Sequence, residues 1–512
     1  MYLKQLAFQK LIIITSFFVI SCSTIIEKNV TQTRPNILFF ITDDQSWIHN
    51  SFAGEQAIKT PGFDSVASAG IYFENAFCAA PSCSPSRGAI ITGQEIWRLG
   101  EAAQLFSAVP KELSKSSFPL LLEANGYYIG YTQKGWEPNN FKTFGWEKYP
   151  LGSSFSDHKT KPLTNGIVKN DYFSNFKAFL SNKEDTKPFF FWCGTSEPHR
   201  AFDKGSGIAN AIDPNKIFVP GFLPDVPEIR SDIADYLLEI KWTDQHLEKM
   251  IALLEQRGIL ENTLIIVTSD NGMAFPAAKA TLNEYGIHIP LAIRWDNGIK
   301  SAGRSTDAMV SLTDLAPTIL EVAETTIPPN MTGKSLMDIF KELKTIERKY
   351  AFSAKERHTI CRASDLPYPQ RAVRDRRFLY IHNFEPNRWP AGSPTLKSSH
   401  GWTYGDIDQS PSFNYLKKHK SKAAVNKYFL FATAKKPAEE LYDITIDPQC
   451  QKNLIHNDEY KAERSRLSKV LTDYLIETED PRVILETSPW ENYPYYFNNP
   501  RGITPFPFVQ ND

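Results

Sequence analysis

The chain has 512 residues, of which 42% are hydrophobic, so it can build a large core and does not have the composition of a disordered protein. Its 57 basic and 58 acidic residues almost cancel, which argues against a general binder of nucleic acids or membrane surfaces. The length favours two or three domains, or one large domain with a smaller one.

The N-terminus carries the pattern of an export signal. Lys4 and Lys10 precede an apolar run at residues 11–20. This run is too short to cross a bilayer as a helix and is typical of the hydrophobic part of a signal peptide. We therefore expect the mature protein to be exported.

The stretch Val19-Ile-Ser-Cys22 resembles the lipobox of bacterial lipoproteins, in which the cysteine becomes the lipidated first residue. An ordinary signal peptide is the alternative. The lipoprotein interpretation gives a signal peptide at residues 1–22 and a polar tether at 23–33. It places the protein in the periplasm or cell envelope, attached to a membrane only through a lipid anchor on Cys22.

Residues 34–345 alternate between apolar strands and helices. The clearest helix is predicted at residues 231–257, and Gly258 ends it. Asp244 falls within the apolar stripe of this helix, where it needs a structural hydrogen bond. The alternation predicts an α/β domain with a mostly parallel sheet. Buried strands of this sheet are predicted at residues 37–41, 127–132, 188–192 and 263–268.

The pattern changes near residue 346, where a smaller C-terminal α+β domain is predicted to extend to residue 480. Its elements are a strand at residues 378–381 and a helix near 457–477. Residues 385–425 are rich in Pro, Gly, Ser and aromatic side chains and are expected to form long loops. The tail at 481–512 is expected to wrap over the surface.

Polar residues follow each of the four central strands, and ligands bind at the carboxyl ends of the strands in parallel sheets. The residues at these ends are Asp43, Asp44, Lys134, His199, Asp270 and Asn271. Three carboxylates and an amide carbonyl among them are hard oxygen donors, which suit Ca²⁺ or Mg²⁺ rather than zinc. Taken alone, an Asp-Asp pair after a strand is more often a solvated turn.

Cys83 lies in the stretch Cys83-Ser-Pro-Ser-Arg87, which Gly88 follows. Pro85 biases the residue before it away from the helical conformation. We therefore expect Cys83 on an extended turn, before a helix that begins near Gly88 and whose N-terminus favours anions. A lone cysteine in such a stretch is more often an ordinary buried residue.

The Cys-x-Pro-Ser-Arg stretch, followed by Gly-x-x-x-Thr-Gly93, resembles the signature of the type I sulfatases. Asn36–Thr42 with the two following aspartates, and Thr268-Ser-Asp-Asn-Gly272, resemble the metal site of that family. The resemblance implies an alkaline-phosphatase-like sandwich, with residues 34–345 as its catalytic domain. It also implies a Ca²⁺ ion held by Asp43, Asp44, Cys83, Asp270 and Asn271.

In this family the cysteine is oxidised to formylglycine (3-oxoalanine), by a formylglycine-generating or an anaerobic sulfatase-maturating enzyme. One hydroxyl of the hydrated aldehyde attacks sulfur, and the second later loses its proton and expels sulfate. The resemblance implies that Arg87 holds the formylglycine side chain and that Lys134 and Lys279 bind sulfate oxygens. His199 is implied as the proton donor to the leaving group.

One stretch departs from the family pattern. Sulfatases usually carry Gly-Lys-Trp-His at the first lysine, whereas this chain has Gln133-Lys-Gly-Trp-Glu137 with no histidine. The usual imidazole contact with the formylglycine hydroxyl is therefore missing from the motif.

Two stretches, Glu197-Pro-His-Arg200 and residues 270–279, resemble the N-sulfoglucosamine sulfohydrolase (heparan N-sulfatase) branch, which also holds bacterial enzymes that desulfate ulvan. The substrate implied is a sulfated carbohydrate, either an algal glycan or a heparan-type glycosaminoglycan. Glu356, Arg357 and His358 are the candidates for sugar recognition. The alternatives are a phosphodiesterase or phosphonate hydrolase of the alkaline-phosphatase superfamily, and a non-catalytic glycan-binding lipoprotein.

Overall fold

An eight-stranded sheet carries the polar strand ends that the sequence predicts. The computed structural model describes residues 34–495 except 108, 137–140, 142–144, 185, 344–346 and 399. The strands of this sheet are β1 Asn36–Thr42, β2 Ile71–Phe77, β3 Tyr128–Gln133, β4 Ser153–Ser154, β5 Phe189–Gly194, β6 Thr263–Ser269, β7 Leu291–Arg294 and β8 Arg304–Ser311. They lie side by side in the order β4-β3-β5-β1-β6-β7-β2-β8.

The sheet is mostly parallel, as predicted, and all four predicted central strands are present. β1 pairs in parallel with both β5 and β6, and β3 pairs in parallel with β5. β7 runs antiparallel to its two neighbours. Every residue of β1, β5 and β6 is buried, because helices cover both faces of the sheet.

Thirteen helices among the described residues surround the two sheets of the fold. They are α1 Pro61–Ala69, α2 Cys83–Thr92, α3 Phe118–Ala124, α4 Tyr172–Asn182, α5 Ser206–Ala209, α6 Pro227–Gln256, α7 Glu284–Ile287, α8 Leu315–Val322, α9 Met337–Phe340, α10 Pro411–His419, α11 Ala423–Thr433, α12 Lys461–Glu477 and α13 Pro481–Ile484. Helix α6 is the predicted long helix, and Gly258 follows its end with φ +66°.

Alternate residues of β1 face two different layers of core. Ile37 and Phe39 pack with residues of α2, α3 and α8 on one face. Leu38 and Phe40 pack with residues of α1, α4 and α6 on the other face. The long helix and the Cys83 helix therefore lie on opposite sides of the sheet.

Asp244 makes the structural hydrogen bond that its place in an apolar stripe requires. Its Oδ2 accepts from the backbone N–H of Gly62 at 2.9 Å, and its Oδ1 accepts from that of Phe63 at 2.7 Å. The Thr60 side chain at the N-cap of α1 makes no capping hydrogen bond. A carboxylate from α6 thus satisfies the N-terminus of α1 in place of an ordinary cap.

A second, antiparallel sheet lies in the C-terminal part of the chain. Its strands are β9 Ala351–Lys355, β10 Gln370–Arg374, β11 Phe378–Asn383 and β12 Glu439–Asp443, in the order β12-β11-β10-β9. Helix α12 packs against β10 and β11. The mixed fold with a smaller antiparallel sheet agrees with the predicted architecture, while the domain boundary near residue 346 stays a prediction.

The prediction of long loops at 385–425 is wrong in part, because α10 and the start of α11 lie there. Ser410 caps α10 by accepting from the N–H of Phe413 at 3.0 Å, and Pro411 is the first helical residue. Serine and proline at these two places start a helix, although the same residues also mark loops.

The second sheet is fixed next to the Cys83 segment. The N–H of Ala354 donates to the carbonyl of Ala79 at 2.9 Å, and the Ser353 hydroxyl donates to that of Cys78 at 2.6 Å. Residues that follow β9 are therefore close to the carboxyl ends of the first sheet.

The predicted signal peptide, the tether and Cys22 lie outside the described residues, as does the tail beyond residue 495. Within the described part of the chain, no helix has the length and apolar character that a membrane crossing requires. The five cysteines of this part are all unpaired.

Asp244→Ala should lower the free energy of unfolding by about 1–3 kcal/mol, because two N–H groups of α1 lose their acceptor. Thermal and urea unfolding measure the change. The matched control is Glu248→Ala, which removes an exposed carboxylate one turn later in α6. Equal effects of the two substitutions would contradict the capping role.

Candidate active site

The adjacent parallel strands β1 and β6 place three carboxylates together. Asp43 and Asp44 follow β1, and Asp270 follows β6. The N–H of Asp44 donates to Oδ1 of Asp270 at 3.1 Å, and the N–H of Asp270 donates to the carbonyl of Thr42 at 3.1 Å. All three side chains are fully buried, so they need compensating charges.

Cys83 lies within the same cluster, but not on an extended turn as predicted. Helix α2 begins at Cys83 itself, with Ser82 as the extended N-cap. Pro85 is tolerated because the N–H groups of the first turn have no acceptor within a helix. The sulfur lies 3.4 Å from Oδ1 of Asp43 and 3.9 Å from Oδ1 of Asp44. Burial, with the charge of Asp43, raises the pKa of this thiol well above its usual value.

These groups fit a hard cation. The donor atoms of Asp43, Asp44, Cys83 and Asp270 all lie within 4.8 Å of one another. Asn271 donates from Nδ2 to Asp44 at 2.7 Å, whereas its buried Oδ1 has no hydrogen-bond partner among the described residues. An unpartnered amide oxygen beside three carboxylates is the donor set that Ca²⁺ prefers.

Three cations neutralise the three carboxylates. Their pairs are Lys134 with Asp43, Lys279 with Asp44 at 2.6 Å, and Arg87 with Asp270 at 2.7 Å. Burial alone would raise the pKa of Asp43, but Lys134 and His199 lower it below the usual range. For Lys279 burial acts in the opposite direction and lowers the pKa, but Asp44 outweighs this effect and holds the pKa well above its usual value. Both lysines predicted as sulfate ligands therefore lie in the site as charged groups.

Arg87 connects Cys83 to the end of β3. It lies one helical turn after Cys83, and its Nη1 donates to the carbonyls of Lys134 and Gly135 at 3.0 Å each. Its Nη2 is buried and has no partner within the part of the chain described. A buried, unpartnered guanidinium N–H can donate a hydrogen bond to a new group, which fits a modified side chain at position 83.

His199 is the most exposed of the predicted catalytic residues, with 38% of its side chain accessible. Its Nε2 lies 3.8 Å from Oδ2 of Asp44, and its Nδ1 lies 2.6 Å from the carbonyl of Arg200. A cavity of about 190 Å³ opens beside it, and Asp43, Lys134 and Arg200 also line this cavity. Arg200 is held by two 2.8 Å bonds to Asp232, so the cavity wall is fixed.

The place of the missing histidine is taken by a tryptophan. Trp136 is fully buried and packs against Trp146, with ring centroids 5.1 Å apart. A different histidine lies near Cys83, since Nδ1 of His358 is 2.8 Å from the Ser82 hydroxyl. Burial lowers the pKa of His358 to about 3, which makes it neutral.

The other two candidates for sugar recognition are held in buried contacts. Glu356 is paired with Arg371 at 2.8 Å and with Arg482 at 2.6 Å, and its side chain is not exposed. Arg357 donates from Nε to Oε1 of Gln104 at 2.7 Å. These contacts fix the segment after β9, and a direct contact of either side chain with a sugar stays a prediction.

The sequence analysis missed Asp408, which precedes α10. Its Oδ2 lies 3.7 Å from Nζ of Lys279, and 30% of its side chain is exposed. The sequence predicts a loop for its segment, and no local motif marks an aspartate whose neighbour in the fold is more than a hundred residues away in the chain. The pair Ser410-Pro411 is the sequence signal that points to Asp408. It starts α10, and so it places Asp408 at the end of a short loop rather than within a long one.

Comparison with known families gives two matches. The family model described as "Sulfatase" matches residues 35–325. A second model, described as "N-sulphoglucosamine sulphohydrolase, C-terminal", matches residues 277–389. The first match covers more than half of the chain and includes the three buried carboxylates of the cluster and the three cations paired with them.

The chain is also similar to known proteins over most of its length. The chain is 27% identical to the N-sulphoglucosamine sulphohydrolase of Homo sapiens, over 90% of this chain and 94% of that protein. It is 26% identical to an ulvan-active sulfatase of Formosa agariphila, over 89% and 82% of the two chains. A solved structure in complex with D-glucosamine-2-N,6-O-disulfate has the same fold, with a TM-score of 0.61, 20% identity, and 89% and 100% of the two chains covered.

Added Ca²⁺ should raise the midpoint of thermal unfolding of protein that has first been freed of divalent metals, because an ion that binds only the folded state stabilises it. Asn271→Ala should weaken this binding by about tenfold or more, since it removes an oxygen donor without changing the charge. Calorimetric titration gives the dissociation constants.

Asn210→Ala is the control, because that amide donates to a helix carbonyl outside the cluster. If Ca²⁺ does not shift the unfolding midpoint of the wild-type protein, the proposed metal site is contradicted. If the midpoint of the Asn271 variant shifts equally, Asn271 is not a ligand of the ion.

Proposed function

Because the chain belongs to the sulfatase family, we propose that it releases sulfate from a sulfated polysaccharide or its oligosaccharides, with a formylglycine at position 83 and Ca²⁺. The observation that carries the proposal is the position of Cys83. It is the first residue of α2, its sulfur is 3.4 Å from Asp43, and Arg87 lies one turn further along the helix. A thiol with a raised pKa is a poor nucleophile, which favours a modified residue over cysteine at this position.

Two groups would be supplied by modification and binding. A formylglycine hydrate at position 83 would offer one hydroxyl for attack on sulfur and a second hydroxyl for release of sulfate. Asp43, Asp44, Asp270 and the free Oδ1 of Asn271 would hold Ca²⁺, which polarises a sulfate oxygen when bound.

The cations of the chain would bind the sulfate group. Lys134 and Lys279 pair with two different carboxylates of the cluster, Asp43 and Asp44, and both are charged. Ammonium groups placed before the reaction stabilise the charge that grows on the sulfate oxygens, with no reorganisation cost. Arg87 would fix the side chain at position 83 through its unpartnered Nη2.

His199 would give a proton to the atom that leaves with the sugar. It borders the cavity, and its Nδ1 faces the carbonyl of Arg200, which fixes the ring and leaves Nε2 toward Asp44. A protonated Nε2 at this place can reach either an ester oxygen or a sulfamate nitrogen.

The sugar is proposed from the relatives. One relative is named for ulvan and another for N-sulphoglucosamine, so the candidates are an algal glycan and a heparan-type glycosaminoglycan. Sulfate release from N-sulfated heparan oligosaccharides, compared with ulvan and carrageenan oligosaccharides, separates these substrates and also separates a sulfamate from an ester bond.

The location and partners follow from the N-terminal sequence and from Cys83. We propose that residues 1–22 direct export to the periplasm or cell envelope and that Cys22 carries a lipid anchor. A formylglycine-generating or anaerobic sulfatase-maturating enzyme would be needed to modify Cys83. Metabolic labelling with a fatty acid tests the anchor, and Cys22→Ala should remove the label.

Cys83→Ala should abolish sulfate release from every sulfated glycan that the wild-type protein cleaves, because no other group in the cluster can replace the formylglycine. The protein is produced together with a formylglycine-generating enzyme, and peptide mass spectrometry reports the conversion of Cys83. Cys450→Ala, at another buried cysteine, is the matched control. Sulfate release by the Cys83 variant, or faster cleavage of phosphate diesters than of sulfates, would contradict the proposal.

His199→Gln should lower kcat by about 10²–10⁴-fold on a sugar sulfate, whose leaving group needs a proton. The loss should be much smaller on 4-nitrophenyl sulfate, whose leaving group departs without one. Steady-state kinetics on both substrates measure the difference, with the exposed His158→Gln as control. Equal losses on both substrates would assign His199 to sulfate binding instead.

A further inference from the structure

Asp408 is a partly open carboxylate at the edge of the charged cluster. Its Oδ2 is 3.7 Å from Nζ of Lys279, whose nearer partner is Asp44 at 2.6 Å. The side chain of Asp408 is 30% exposed, whereas those of Lys279 and Asp44 are 4% and 0% exposed. Asp408 is therefore the member of this chain of charges that a substrate can reach.

The hydrogen-bonding capacity of Asp408 is unused. No residue in the described ranges donates a hydrogen bond to its carboxylate, and the 3.7 Å separation from Lys279 exceeds hydrogen-bond distance. Asp406, two residues earlier, is the opposite case. It is buried and accepts from Lys355 at 2.9 Å and from the N–H of Thr359 at 3.0 Å, so its role is structural.

The surroundings of Asp408 keep it ionised. Burial raises its pKa, but the charge of Lys279, with a smaller contribution from His199, outweighs this and lowers it to about 2. The carboxylate is thus an acceptor with four lone-pair positions and a full negative charge next to the proposed sulfate site.

We propose that Asp408 accepts a hydrogen bond from a hydroxyl or amino group of the same sugar residue that carries the sulfate, and that it determines which sugars are cleaved. This inference rests on the proposed function, because it takes Lys279 as a ligand of the sulfate. A group recognised by Asp408 then lies on the ring close to the sulfate. A second sulfate or a uronate carboxylate at that position would be repelled.

The alternative role is positional, in which Asp408 only orients Lys279. The two roles differ in their dependence on the sugar. A residue that orients Lys279 acts on every sulfate ester, while an acceptor for a sugar group acts only on substrates that have that group.

The test compares a sugar substrate with one that has no sugar. Asp408→Ala and Asp408→Asn are assayed on the heparan or ulvan oligosaccharide that the wild-type protein desulfates and on 4-nitrophenyl sulfate. The ratio of kcat/KM for the oligosaccharide to that for the aryl sulfate should fall by about 10–100-fold in Asp408→Ala, mainly through KM. Asp408→Asn keeps an acceptor and should lose less.

Asp307→Asn is the matched control, because that aspartate also pairs with a cation, Arg376, on an exposed surface. An unchanged ratio in the Asp408 variants overturns the proposal, whether both rates fall together or neither falls.

A binding experiment separates this inference from the proposed reaction. In a Cys83→Ser background, calorimetry compares binding of the heparan and ulvan oligosaccharides with and without Asp408→Ala. At least one oligosaccharide should bind about tenfold more weakly without Asp408, even where no sulfate is released. Equal binding by both proteins, or no binding by either, overturns the role of Asp408.

Discussion

Three buried carboxylates paired with three buried cations are the constraint on which the rest of the site depends. Asp43, Asp44 and Asp270 meet because β1 and β6 are adjacent and parallel. An unpaired buried charge costs several kcal/mol, so each aspartate needs its own cation. Each cation comes from a different part of the chain: Arg87 from α2, Lys134 from the end of β3, and Lys279 from the segment after β6. Charge balance therefore fixes α2 and two loops against the same sheet edge.

This balance also explains how one cluster can serve a cation and an anion. Three negative and three positive side chains are neutral as they stand. A bound Ca²⁺ would take over part of the neutralisation of Asp43 and Asp44, and both ammonium groups would then be available to a sulfate. The ion pairs between lysine and aspartate are thus the arrangement that keeps the lysines charged, as the raised pKa of Lys279 indicates.

The sequence predicts the parts of the molecule that are encoded locally. The apolar runs that became β1, β3, β5 and β6, the long helix α6, and the strand-end motifs are each written in a few consecutive residues. Contacts between distant residues are not. Asp408 lies beside Lys279, which is more than a hundred residues away in the chain, and Glu356 is paired with Arg371 and Arg482. Periodicity gives no information on such pairs. The bias before a proline predicts an extended turn at Cys83, whereas α2 begins at this residue because the first turn of a helix tolerates proline.

The exposure of the side chains divides the site into two halves. The half that would bind sulfate is closed, since Asp43, Asp44, Arg87 and Lys279 are all almost fully buried. The half that would face the sugar is open and contains His199 and Asp408. The closed half depends on ion pairs, so a change in any one member leaves a buried charge unpaired. Asp408 pairs only at a distance and comes from a loop before α10, so it can change at little cost to the fold. The residues that select the sugar can therefore vary while the charged cluster stays the same.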